Sequence, residues 1–302
     1  MIGIFTWDEQ ILYSYIFRYV TMREPAVAGM FYPPGKRSLV KEIEKCLKKG
    51  PGNNSGLKAE RIYGVISPHA GYTYSGPTAS FGFLAMKESG MPDSVIIMGP
   101  NHRGLGGKAV VSDEDFLTPL GVMEVDQDLI RKLGLEVDNS SHAGEHSMEV
   151  QLPFIQYFDM SVKQVCISVS DQSLGFSEEL GKRIASAVQA SKGNVGLIAS
   201  SDFTHCGWNY GYPVPSGMNA GQFAESRDRP VIEKLLHMDL ENAFRKKDEL
   251  GTTACGLGPI AAVMTASKEL GADKARMMDY TTSYDTAPSD SAVGYASIVL
   301  YS

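Results

Sequence analysis

Five short runs constrain this chain more than any other feature, because they are apolar almost throughout: Ile62–Ser67, Ser94–Met98, Ala109–Ser112, Lys163–Val169 and Asn194–Ala199. A strand with one wet face alternates polar and apolar residues, whereas a strand that is apolar on both sides is buried on both sides. Before and between these runs lie stretches of helical period, at 39–47 with Ser38 placed to cap it, 78–88, 127–133 and 176–190. Asp126 is placed to cap the third of them. Helices over about 230–247 and 259–270 follow, then strands near 276–284 and 292–301. Strand and helix therefore alternate along the chain. The pattern predicts one α/β domain with a central, mostly parallel or mixed sheet covered by helices on both faces. Residues 207–229, rich in Gly, Pro and aromatic side chains, read as a long loop of the kind that usually serves a function.

Composition narrows the function classes. The 302 residues carry a net charge of −7 with no basic block, which argues against nucleic acid and against an anionic membrane surface. No apolar run reaches the roughly 20 residues that cross a bilayer. The four cysteines (Cys46, Cys166, Cys206, Cys255) are scattered without a CxxC pair, as suits a reducing cytoplasm. Residues 1–21 lack the basic start of a signal peptide, and Asp8, Glu9 and Arg18 interrupt their apolar stretch. They read as an appendage, with a short amphipathic helix over 9–20, to a domain running from Met22 to the C-terminus.

In open α/β sheets, ligands bind beyond the carboxyl ends of the strands. Three apolar runs here stop at polar turns that each deliver a histidine, namely His69, His102 and His205, with Asp202 three residues before the last. Cys255 precedes a helix over 260–270 with Pro259 suited to its start, and backbone N–H groups there favour a thiolate. Alone, Cys255 reads more simply as a small buried hydrophobe, and any one histidine as a hydrogen-bonded structural residue. Together, imidazole and thiolate form a ligand set for iron, copper or zinc. His142, Glu145, His146 and Glu149 form a second cluster with histidines at i, i+4 spacing. It lacks the HExxH pattern and reads as pocket wall, or as a capping arrangement of Ser140 or Ser141 with Glu145. Asp113-Glu114-Asp115 reads as a solvated turn. Gly71, Gly76, Gly99 and Gly104 make no phosphate-binding pattern.

Six ordered motifs carry a resemblance: Pro25–Pro33, Ser67–Gly76, Gly99–Gly104, Glu145–Pro153, Ser200–His205 and Thr253–Gly256. On these the chain resembles the MEMO (mediator of cell motility) family from about Met22 onward. The resemblance implies the LigB-like fold of class III extradiol dioxygenases. It also implies a metal, iron or copper, held by His69, His102 and Cys255 near Asp202 and His205. Asn101 and the pocket-wall cluster would lie beside that metal. The related dioxygenases use two His and one Glu, so Cys255 stands where a carboxylate would be, softens the ligand set and departs from the ring-cleaving pattern.

The leading expectation is a cytoplasmic metal-dependent redox protein or oxidoreductase, in which His205, oriented by Asp202, moves protons. Trp208, Tyr210 and Tyr212 would close over a small-molecule or peptide ligand as an aromatic lid. Two alternatives keep the cleft: a zinc-dependent hydrolase, and a non-catalytic adaptor for phosphorylated peptides. The resemblance also implies an AMMECR-type protein as a partner.

Overall fold

The structure, a computed structural model, describes residues 22–302. The appendage and amphipathic helix expected within residues 1–21 lie outside the described residues. In chain order the elements are β1 (Met22–Arg23), α1 (Lys36–Lys49), β2 (Ile62–Ser67), α2 (Tyr72–Glu88), β3 (Ser94–Pro100) and β4 (Ala109–Val111). Next come β5 (Asp115–Thr118), β6 (Gly121–Met123), α3 (Gln127–Leu133), β7 (Glu136–Val137), α4 (Asn139–His142), α5 (Leu152–Phe158) and β8 (Lys163–Val169). The last third holds α6 (Leu174–Gln189), β9 (Val195–Ser200), β10 (His205–Cys206), α7 (Ala220–Leu236) and α8 (Leu240–Leu250). It ends with α9 (Leu257–Glu269), β11 (Lys274–Thr282), α10 (Ser283–Thr286) and β12 (Ala292–Tyr301).

Among the described residues, nine strands form one mixed sheet in the order β12-β2-β9-β3-β8-β4-β7, with β10 and β11 also paired to β12. Its centre, β2-β9-β3-β8, is parallel. β12 and β4 run antiparallel to their central neighbours. The sheet does not close into a barrel. A small second sheet joins β1, β5 and β6.

Side chains alternate across the central strands and fill two cores, as a period of 2 requires. Ile66, Ile96, Met98, Val165, Ile167, Leu197 and Ala199 face one core, walled by α3, α6, α7, α8 and α9. Val65, Val95, Ile97, Cys166 and Ile198 face the other, walled by α1, α2 and α5. α1 reaches that core through Leu39, Ile43 and Cys46, one stripe at helical spacing. The apolar runs were apolar because both faces are covered.

Two boundaries differ from the sequence reading. α2 starts at Tyr72 and carries Pro77 inside it, so the His69 turn leads straight into a helix. The loop expected over 207–229 is half helix, because Asn219 and Gln222 form a reciprocal capping box that starts α7 at Ala220. α7 carries Pro230 within it, and a break at Met238 (φ 55°) separates it from α8.

Candidate metal centre

β2, β9 and β3 lie side by side and point the same way, so their carboxyl ends release three turns next to one another. His69 follows β2, His102 follows β3, and Asp202 and His205 follow β9. The fourth contribution comes from the segment between α4 and α5, which lies against β3. Gly99 permits that approach, since a Cβ there would overlap the Ser147 side chain.

Ring nitrogens of His69, His102 and His146 all lie within 4.8 Å of one another. The His69 ring stands nearly perpendicular to both others, at centroid distances of 5.3 Å from His102 and 5.5 Å from His146. His102 and His146 stack at 4.8 Å. His146, expected in the pocket wall, thus joins the two strand-end histidines directly.

Two of the three rings are oriented from behind. His102 Nδ1 lies 3.0 Å from Glu145 Oε1, and its backbone N–H donates to Glu145 Oε2 at 2.7 Å. Facing a carboxylate, Nδ1 carries the proton and leaves the Nε2 lone pair free. Glu145 is fully buried. Burial alone would raise its pKa, but the His102 ring and the N–H groups of Ser147 and His102 hold it down at about 2. His69 Nδ1 faces Ser200 Oγ at 3.0 Å, and its backbone N–H donates to Asp202 Oδ1 at 2.7 Å. Burial, and then the neighbouring His146 and His102 rings, press the His69 pKa well below the usual imidazole value. Burial lowers the His146 pKa as well. A set of convergent imidazoles running from buried His69 to exposed His102 fits a cation, and imidazole suits iron, copper and zinc.

Cys255 Sγ lies 3.2 Å from His69 Nε2 and 3.6 Å from the Asp202 carbonyl oxygen. Gly256 brings it there, for a Cβ at that position would sit 2.7 Å from the Ser200 carbonyl oxygen. The chain's own groups work against the thiolate expected from the helix start. Burial first, and the Asp202 charge second, push the thiol pKa up, outweighing the backbone N–H groups.

The other expected residues fall into two groups. Asp202 lines the same cavity, and burial raises its carboxyl pKa against the pull of His205 and the His69 N–H. His205 lines it too. It takes its orientation from Phe203 O, 2.9 Å from Nδ1, and from a reciprocal backbone pair with Thr253 Oγ1 rather than from the Asp202 side chain. The cavity, about 640 Å³, is completed by Phe31, Tyr74, Tyr210 and Tyr295 and the 287–293 turn.

Four expected pocket residues do other work. Asn101 Oδ1 accepts from the N–H groups of Arg103 and Gly104, shaping the turn that carries His102. Glu149 binds Arg23 at 2.7 Å, the N–H groups of Ala26 and Val27, and Tyr32 Oη. His142 contacts Val110 O and packs on Phe116. It shares no helical face with His146, because Asp138 rather than Ser140 or Ser141 caps α4, which ends at His142. Trp208 is 79 % exposed. Of the expected lid, it is Tyr210 that stands over His205, at 5.2 Å, while Tyr212 packs on Phe223.

The model of Memo-like proteins matches residues 23–299. This chain belongs to the MEMO family. It is 41 % identical over 287 residues to a MEMO1 family protein of Nitrosopumilus maritimus, covering 92 % of this chain and 98 % of that one. A MEMO1 family protein of Pyrobaculum arsenaticum is 39 % identical over 290 residues, with 93 % and 99 % covered. One from Methanococcoides burtonii is 38 % identical over 285 residues, with 92 % and 100 % covered. Among solved structures, an uncharacterized protein from Escherichia coli K12 aligns at a TM-score of 0.48 and 13 % identity, over 79 % of this chain and 99 % of that one. No helix among the described residues is long and apolar enough to cross a membrane.

Proposed function

We propose that this MEMO-family chain is a cytoplasmic, metal-dependent redox protein or oxidoreductase whose metal is held by His69 and His102, with His146 and Cys255 completing the set. The observation that carries the reading is the convergence of three imidazoles, one ring nitrogen from each within 4.8 Å of the others, two of them with Nδ1 committed to partners behind them. Iron or copper bound there would supply one-electron chemistry and a Lewis acid. The chain's own residues supply the rest. His205, with Nδ1 tied to Phe203 O, presents Nε2 for holding or passing a proton of a ligand in the cavity. Asp202 fixes the His69 backbone through its Oδ1. Phe31, Tyr74 and Tyr210 form an aromatic wall for a small organic molecule or a peptide side chain.

Anaerobic purification followed by metal analysis tests the reading, with redox titration of whatever metal is found. Iron or copper at one equivalent that cycles between two oxidation states is the expected result. Stoichiometric zinc with hydrolytic activity would replace it by a hydrolase. A chain that takes up no metal yet binds phosphorylated peptides would replace it by an adaptor.

A further inference from the structure

Ser200 ends β9 and is completely buried, and its hydroxyl oxygen has three partners. It donates to the Ser147 carbonyl oxygen at 2.5 Å, receives Gln151 Nε2 at 2.8 Å, and faces His69 Nδ1 at 3.0 Å. A serine hydroxyl has one proton and two lone pairs. Ser147 O can only accept, so the proton is spent on it. Gln151 must present its NH₂ to Ser200, because the same nitrogen also meets the acceptor-only carbonyl of Pro68 at 3.0 Å. Both lone pairs of Ser200 are then turned toward donors, and His69 Nδ1 has to be one of them.

We propose that Ser200 and Gln151 are positioning residues that lock His69 in its Nδ1–H tautomer, and so decide that its Nε2 lone pair faces Cys255 and the other two imidazoles. The opposite tautomer would set two lone pairs against each other at 3.0 Å. It would also direct an N–H into the centre of the cluster, where a ligand atom is needed. Gln151 acts twice: it fills one Ser200 lone pair, and through Pro68 O it fixes the backbone immediately before His69. The lock reaches His69 from the 145–151 segment, which also supplies His146 itself and, in Glu145, the partner of His102. One short stretch of chain therefore supplies one ring and helps to orient the other two. The consequence for metal binding rests on the function proposed above; the tautomer assignment does not.

The test uses the full chain stripped of metal and labelled with ¹⁵N at histidine. Long-range ¹H–¹⁵N correlation spectra distinguish a protonated from an unprotonated ring nitrogen. Wild-type His69 should show a protonated Nδ1 and an unprotonated Nε2, and an Nε2–H signature would overturn the proposal before any variant is made. Ser200→Ala removes the acceptor and should bring the other tautomer into the spectrum. It should also weaken Fe(II) or Zn(II) binding in calorimetry by about 10–100-fold, the usual cost of losing an outer partner of a metal-binding histidine. Ser200→Thr, which keeps the hydroxyl, should restore the wild-type tautomer. Gln151→Met should loosen the lock while leaving the hydroxyl in place, and serves if Ser200→Ala does not fold. A folded Ser200→Ala with an unchanged His69 spectrum would overturn the proposal. A wild-type chain with the expected tautomer but no metal uptake would support the tautomer lock and discard the metal reading instead.

Discussion

Two segments deliver chemistry to the cavity, and each is anchored from beneath by a buried carboxyl group of a different kind. The 145–151 segment is tied down by ions. Arg23 donates through Nε to His142 O and through a second guanidinium nitrogen to Glu145 O, both at 2.7 Å, and pairs with Glu149. The 202–206 segment is tied down by Asp228 on α7, which accepts the Thr204 N–H at 3.0 Å and the Tyr280 hydroxyl at 2.8 Å. Among the described residues no cation forms a salt bridge with Asp228, and burial, against a weaker pull from Arg229, pushes its pKa up to about 7. Glu145, equally out of reach of water, stands at about 2 because a histidine ring and two N–H groups face it. Burial alone does not fix the charge of a buried acid; its partners do.

The largest effect should come from the ionic anchor. Arg23→Ala leaves Glu149 charged and unpaired in the interior, which costs about 3–5 kcal/mol. Urea unfolding would read this as a lower midpoint at unchanged slope. A loss under about 1 kcal/mol would mean the segment is held by packing alone. Next in size is Glu145→Gln, which keeps the volume and removes the charge behind His102. Metal affinity should fall by about 10–100-fold. The acid limb of stability should shrink as well. A carboxylate held near 2 contributes stability that is present above its unfolded pKa and is lost as pH falls through 2. Unchanged calorimetric affinity in this variant would detach Glu145 from the site.

How much of this was legible beforehand follows the distance over which each signal acts. An apolar run ending in a polar turn is a local pattern, and it led to His69, His102 and the 202–205 turn, because the three strands that carry them are neighbours in the sheet. His146 reads as pocket wall in the sequence because its cluster lacks the HExxH pattern and offers a capping arrangement; the i, i+4 spacing to His142 was no guide either, since the helix ends at His142. Arg23, Gln151 and Ser200 left no periodic trace. Each is a buried polar residue whose partners lie 49–131 residues away or more, and such pairings exist only after folding. Asp228 was hidden inside a stretch that reads as loop. The Asn219-x-x-Gln222 capping box was the available clue to the helix there.

Asp228→Asn is the subtlest change and the one that tests the comparison itself. The unfolded chain ionises this carboxyl at about 3.8, and the folded one at about 7. A raised carboxyl contributes stability that is fully present below the unfolded pKa and is lost as pH rises through the folded one. Across that window the slope is at most one proton, about 1.4 kcal/mol per pH unit. His142, held down at about 4 by burial, acts the opposite way and loses stability as pH falls from the ordinary imidazole range toward 4. The two oppose each other in the wild-type profile, so only a difference between variants separates them. Asparagine cannot ionise, so its carbonyl still receives the Thr204 N–H and the Asp228 contribution becomes flat. The cost of Asp228→Asn should therefore be larger at pH 5 than at pH 8, measured by urea unfolding at both. An equal cost at the two values would mean Asp228 is already ionised at pH 5, and that the two anchors differ in partners but not in charge.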